Sequence, residues 1–294
     1  MSATARKGIV LAGGSGSRLY PLTRAASKQL LPVFDKPMVY YPLSVLMQTG
    51  IRDIAIVSSP PVLPAMRTLF GDGHHWGLTL TYIEQPTPDG IAQAYLLAAD
   101  FLAGGASALI LGDNLFFGKG LAGCMSAASK RVGGGTVFAC QVSDPERYGV
   151  VSFDKAGRVT AITEKPEKPE SRFALTGLYF LDGDAPARAS RLRPSRRGEL
   201  EITDLLGCYL NEGLLTVEKL ARGFTWLDAG TQESLLAAGG AVRSIEKALN
   251  RKIGCPEEIA FRNGWITRKE LLTLAAPYLN TRYGSYLKRV ANKE

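Results

Sequence analysis

Short apolar runs rich in β-branched residues alternate with segments of helical periodicity through the first half of this chain, and the alternation restricts the folds open to it. The runs lie at 8–11, 53–57, 80–84, 108–111 and 136–142. Helical candidates at 41–49, 61–70, 91–101 and 121–130 separate them, each with apolar residues near 3.6 spacing. Strand, helix and strand in that order build parallel pairs. The spacing therefore predicts an α/β fold, a doubly wound, mostly parallel, Rossmann-like sheet with helices on both faces, its ligands outside the carboxyl ends of the strands. From Tyr148 the pattern changes to closely spaced strand-like pieces at 150–153, 159–164 and 174–181, an antiparallel or mixed addition. Further strand-like pieces at 214–220 and 225–227 precede a helical pattern at 231–249 and more helical material to the end. With no internal repeat or linker, the expectation is one α/β domain over 1–240 and a helical C-terminal extension over 241–294.

A chain of 294 residues buries a large core without a metal or disulfide staple. Its cysteines, Cys124, Cys140, Cys208 and Cys255, lie far apart with no CxxC pair, which argues against a zinc site and a disulfide framework. The apolar run at 9–12 is too short for a signal-peptide core, and no run approaches the roughly 18 residues of a membrane span, so a cytoplasmic, membrane-free protein is expected. The formal net charge of +8 calls for anionic partners. The densest basic stretch, Arg188, Arg191, Arg193, Arg196 and Arg197, lacks interleaved aromatics, so it reads as a solvated or subunit-facing loop and not as a nucleic-acid surface. Small phosphorylated substrates account for the bias. His74 and His75 are adjacent and have no ligand-spaced partner, so they read as a loop.

A glycine-rich turn follows the first strand directly: after Leu11 come Gly13, Gly14, Ser15, Gly16, Ser17 and Arg18. Glycines there let backbone N–H groups close on phosphate oxygens. A dinucleotide fingerprint would need a third glycine where Leu19 stands and an acid after the second strand where Ser58 and Ser59 stand. A P-loop would need Gly-Lys followed by Ser or Thr, and no such string occurs. What sets this loop apart is the charge behind it, Arg18 and then Lys28, a fork-shaped and a point-like phosphate ligand. Here the sequence resembles the sugar-phosphate nucleotidyltransferase family. The signature LAGGxGTRLxPLTxxxxKxLLPVxxKPM runs through residues 11 to 38, with Ser17 replacing the usual threonine and keeping its hydroxyl.

Asp113 follows the strand in ALILGDNLFFG, and Asp228 ends a short apolar run in RGFTWLDAG. Magnesium takes one or two carboxylates and fills its octahedron from phosphates and water, a need this pair suits. Aspartates at strand ends are otherwise turn or cap residues; both match family positions that hold the metal, so the resemblance implies Mg2+ there. In QPTPDGIAQA, Gln85 offers a donor and an acceptor to a pyrimidine imide edge and Gly90 leaves backbone open to a base; the resemblance implies that they read the base. It likewise implies that Tyr148, Gly149, Glu164, Thr176 and Glu199 line the sugar pocket and that Lys165 binds the sugar's phosphate.

The nucleotide would then occupy a half at about 1–120 and the sugar a half at about 121–240. The strings QPTPDGIAQA, GELEITD and GCPEEIAFRNGWI are similar to the branch that joins dTTP and glucose 1-phosphate into dTDP-glucose. One methyl group separates this from the same chemistry on UTP, and a non-catalytic regulatory subunit is the rival from another class. The family also implies a homotetramer, a dimer of dimers, inhibited by dTDP-L-rhamnose at a second site. Gly118, Glu258, Ile259 and Arg262 match that site, while Ala122 stands where the family often has histidine.

Overall fold

A computed structural model describes residues 5–14, 16–118, 120–131, 133–221 and 223–293. In chain order its strands are β1 (Lys7–Leu11), β2 (Pro32–Val33), β3 (Lys36–Pro37), β4 (Asp53–Ser58), β5 (Thr79–Glu84), β6 (Ser107–Leu111) and β7 (Asn114–Gly118). They continue with β8 (Gly135–Gln141), β9 (Gly149–Phe153), β10 (Val159–Glu164), β11 (Phe173–Leu181), β12 (Leu215–Lys219) and β13 (Phe224–Asp228). The helices are α1 (Tyr40–Gln48), α2 (Leu63–Phe70), α3 (Gln93–Leu97), α4 (Ala99–Leu102), α5 (Leu121–Lys130) and α6 (Ala185–Ala189), then α7 (Ile202–Asn211), α8 (Gln232–Leu249), α9 (Pro256–Arg262), α10 (Arg268–Ala275) and α11 (Arg282–Lys293).

The expected doubly wound sheet is present. β1 lies centrally, parallel to β4 on one side and β6 on the other, and β5 continues the parallel set beyond β4. β11 then runs antiparallel to β6, carrying β8 and β9 on its far edge, so the second half adds mixed pairing as its turn-rich pattern implies. Successive strand residues enter different cores because strand side chains alternate faces. Val10, Ile110 and Phe180 join the core under α1, while Ile9, Leu109 and Tyr179 join the one under α3, α6 and α7. Ala260, Leu271 and Leu287 of the last three helices belong to the first of these cores, so the C-terminal helices share the sheet's interior.

The helices α6 and α7 and the β2–β3 hairpin are not anticipated by the sequence pattern, and two elements that are anticipated take another form. The helix expected over 91–101 breaks into α3 and α4 at Ala98. The run ALILGDNLFFG holds two strands: β6 ends at Leu111, and β7 leaves the main sheet to pair antiparallel with β13, Asn114 facing Asp228. The turn at 112–113 thus sits between the sheet and this ribbon. Beside it, the β2–β3 hairpin from the end of the signature is fastened to α8 by a closed ring of charges. Lys36 Nζ lies 2.6 Å from Asp35 and 3.2 Å from Glu246, Lys252 lies 2.6 Å from Glu246, and Lys252 also pairs with Asp35. Lys36 and Glu246 are both buried.

Candidate active site

A cleft of about 360 Å³ opens at the carboxyl ends of β1 and β6, where a doubly wound sheet presents its ligand site. It is lined by Leu11, Gly13, Gly14, Gly16, Ser17, Arg18 and Lys28 from the signature, Gln85 and Gly90 after β5, Asp113 after β6, and Lys165 and Glu199 from the second half. Ser15 lies outside the described residues. Space bears on glycine at two of these points, through a movable side chain at one and through backbone at the other. A Cβ on Gly13 would stand 2.0 Å from Gln85 Oε1, and one on Gly90, whose φ is +110°, would strike the backbone of Leu200 at 2.3 Å. Gln85 is buried, and its amide donates to Gln93 Oε1 at 2.7 Å, which fixes which way it presents its carbonyl to the cleft. Gln29, at an unspecified position within the signature and given no role from the sequence, also lines the cleft and donates to Gly13 O at 3.0 Å.

At the inner end, Lys28 Nζ pairs with Asp113 Oδ2, and Asn114 Nδ2 donates to Asp113 Oδ1 at 2.9 Å. Burial alone would raise the Asp113 carboxyl; Lys28 outweighs it and holds the group below the ordinary aspartate range. Asp228 is brought beside it by the β7–β13 pairing, and Ala229 N donates to Asp113 O at 3.1 Å. Burial, and then the charge of Asp113, push Asp228 up to about 6, with Lys28, Arg18 and Arg147 only partly offsetting them. Two partly buried carboxylates side by side, the charge of one raising the cost of charge on the other, form an incomplete electrostatic site. Among the described residues no cluster of three or more His, Cys, Asp or Glu converges anywhere, so a chelating cage of the zinc or calcium kind is not built here. The pair Asp113 and Asp228 fits magnesium, which draws its other ligands from phosphate and water, and Lys28 is the cation that neutralises Asp113 in its place.

The sugar-side candidates surround the next part of the cleft. Lys165 has a left-handed backbone, φ +39°, uncommon outside glycine and concentrated at functional sites. Its N–H bonds Tyr148 O at 3.0 Å, and its ammonium lies 3.5 Å from Glu164. Burial pushes the Glu164 carboxyl up, the Lys165 charge opposing this. Thr203 donates to Glu164 at 3.2 Å, and Gly149, paired with Glu164 across β9 and β10, has room for no side chain because a Cβ would meet Thr203 at 2.8 Å. Thr176 is fully buried, and its hydroxyl has no partner among the described residues. Tyr148 packs edge-on against Trp226 at 5.1 Å. Tyr148, Gly149, Glu164 and Thr176 border the cleft's neighbourhood without lining the cleft itself.

Besides Gln29, sequence reasoning missed three residues here. Arg197, read as part of a solvated basic loop, bridges Glu199 at 3.0 Å, Glu201 at 2.8 Å and Glu164 at 3.4 Å, and so partly neutralises the acids of the sugar side. Its signal was available in the acids of GELE immediately after it. Asn114 and Trp226 meet only through the β7–β13 ribbon, for which neither segment carries a local sign. The second-site candidates lie elsewhere. Gly118, Glu258, Ile259 and Arg262 line a separate cavity of about 760 Å³ with Ala122. Glu258 there accepts from Arg262 Nε at 2.8 Å and from the Tyr286 hydroxyl.

A doubly wound sheet that carries a glycine loop, basic side chains and a carboxylate pair at its strand ends is the framework of a nucleotidyltransferase. The chain belongs to the nucleotidyl transferase family, whose profile matches residues 7–244. It is 55% identical over 290 residues to a glucose-1-phosphate thymidylyltransferase of Xanthomonas campestris pv. campestris, covering 99% of this chain and 98% of the relative. A protein of the same name from Neisseria gonorrhoeae is 52% identical, covering 98% of this chain and the relative's full length. Among solved structures, a Bacillus anthracis protein provisionally given that name, crystallised with a sucrose, superposes with a TM-score of 0.75 at 39% identity, over 81% of this chain and 96% of its own. This chain is an enzyme of the nucleotidyltransferase class. Among the described residues no helix is long and apolar enough to cross a membrane.

Proposed function

We propose that this enzyme transfers a dTMP group from dTTP to glucose 1-phosphate, yielding dTDP-glucose and pyrophosphate in the cytoplasm as the first step towards dTDP-L-rhamnose. One observation carries the reading: Arg18, Lys28 and Lys165 share a cleft with a glycine turn and Asp113, basic groups from two distant parts of the chain around one anion-sized space. A sugar phosphate is largely dianionic at neutral pH, so its oxygen attacks the α-phosphorus without a general base. A new P–O bond forms, the α–β bridging bond breaks, and pyrophosphate leaves with the electron pair. Catalysis is then positioning and charge neutralisation. In this reading the loop amides and Arg18 hold the triphosphate, Gln85 and Gly90 read thymine, and Lys165 aims the sugar phosphate. Lys28 exchanges Asp113 for the departing pyrophosphate. Mg2+, when held by Asp113 and Asp228, supplies the charge that lets two polyanions approach.

The division of labour follows the two halves of the sheet, nucleotide at about 1–120 and sugar at about 121–240, with 241–294 as a helical extension. The cavity around Glu258 and Arg262 would take the end product dTDP-L-rhamnose as inhibitor in a homotetramer; forward rates at saturating dTDP-L-rhamnose, unchanged from those without it, would exclude this. The main test is pyrophosphate release from glucose 1-phosphate with each nucleoside triphosphate. Release with dTTP, lost in Lys165→Ala while dTTP still binds, is the expected result. A UTP preference would move the assignment to uridylyl transfer, and no release with any nucleotide would overturn it.

A further inference from the structure

Asn114 is 2% exposed, and its carboxamide makes three hydrogen bonds, two to other strands and one to the turn before it. Its Oδ1 accepts the indole N–H of Trp226 on β13 at 2.6 Å and the backbone N–H of Gly177 on β11 at 3.0 Å. Its Nδ2 donates to Asp113 Oδ1 at 2.9 Å. Only one orientation of the amide satisfies all three, since a flipped group would set NH₂ against two N–H donors and a carbonyl against a carboxylate. The surroundings are shaped to keep it. Gly177 lies where the pairing of β11 with β8 loses register, and a Cβ there would stand 2.6 Å from Asn114 Oδ1.

We propose that Asn114 is the positioning residue of the metal site: it ties up one oxygen of Asp113 and leaves Oδ2 alone to face the cation, and through Trp226 and Gly177 it takes its own geometry from the sugar side. The inference rests on the nucleotidyl-transfer reading for its purpose, though its geometry does not depend on it. Oδ2 is the oxygen now bonded to Lys28, so the group that must exchange lysine for cation is the one oxygen the amide leaves free. Trp226 donates to Asn114 and packs edge-on against Tyr148, so a sugar that shifts Tyr148 shifts the chain of contacts ending at Asp113. Ligand-orienting partners of this kind change metal affinity or activity by about 10–100-fold when removed.

The test is Mn2+ binding, followed by electron paramagnetic resonance, to the parent, Asn114→Ala and Trp226→Phe. Asn114→Ala should bind Mn2+ about 10–100-fold more weakly, and Trp226→Phe should shift in the same direction by a smaller factor. In turnover, kcat of Asn114→Ala should fall and recover in part as Mg2+ is raised, while KM for glucose 1-phosphate moves less. A merely structural asparagine would not give Mg2+-dependent rescue. Folded Asn114→Ala that binds Mn2+ as tightly as the parent overturns the inference; if that variant does not fold, Trp226→Phe with parental Mn2+ affinity does so. A parent that binds Mn2+ but releases no pyrophosphate would remove the functional reading and leave the Asn114 comparison intact.

Discussion

Two clusters in this molecule set lysine against carboxylates held at least partly away from water, and they differ in whether the charges close. In the ring of Asp35, Lys36, Glu246 and Lys252 every group touches two of opposite sign, and Ile253 N gives Glu246 a further bond at 2.9 Å. In the cleft, Lys28 satisfies Asp113, while Asp228, half-buried beside it, has no ion pair among the described residues. A closed ring fastens a hairpin to a helix and has nothing left to bind. An open set is held by the surrounding fold at a cost, and it can be completed only from outside. Buried charge is therefore ambiguous as a sign of function until its partners are counted.

The sharpest way to break this comparison is to neutralise one carboxylate in each cluster and read activity and stability together. Asp228→Asn should lose about 10²–10³-fold in kcat/KM, as removal of one electrostatic contributor does, with a melting temperature equal to or above the parent's. Glu246→Ala should do the reverse. Breaking a buried pair leaves Lys36 and Lys252 short of a counter-charge at about 3–5 kcal/mol, read as a lower urea midpoint with activity retained per folded molecule. If both variants lost stability alike, the distinction between open and closed sets would fail.

The two clusters were not equally legible in the sequence. Arg18, Lys28 and the glycine turn lie in one stretch, and the strand before them announces where the stretch points, so their meeting in one cleft could be read from that stretch alone. The pairing of Asp113 with Asp228 needs β7 and β13, short runs in NLFFG and FTWLD that lie more than a hundred residues apart and pair antiparallel outside the main sheet. Asn114 and Trp226 are 112 residues apart and joined by one hydrogen bond, and nothing local in either segment encodes it. Arg197 was legible as charge and not as geometry, since only the turn into α7 folds it back on Glu164 and Glu201. The ring was hidden for the same reason, because Lys36 lies inside a recognisable motif while Glu246 and Lys252 lie in a helix and loop with no motif at all.

Shape gives a third and smaller contrast. Gly13→Ala would drive a methyl into Gln85 Oε1, and the amide must turn away to accommodate it. Loss of a buried hydrogen-bonding orientation costs about 1–3 kcal/mol, so dTTP binding by calorimetry should weaken by about tenfold, with a melting temperature close to the parent's. Unchanged dTTP affinity would mean that Gln85 does not read the base.

The smallest effect sharpens the comparison through pH. Burial would raise the Asp35 carboxyl, but Lys36 and Lys252 more than compensate and hold it below the usual aspartate range. A depressed folded pKa means that the unfolded chain binds the proton more readily, so the ring's contribution is complete above the unfolded value of about 3.9 and fades as pH falls below it towards the folded value. The parent should therefore lose urea stability more steeply below about pH 4 than Asp35→Asn, which has no proton to take up there. Other acids titrate in that range too, so the difference between the two slopes is the readout, and the slopes should converge above about pH 6, where Asp35 is ionised in both states. Parallel slopes throughout would show that the ring is not held by charge, and that its resemblance to a closed electrostatic unit is only geometric.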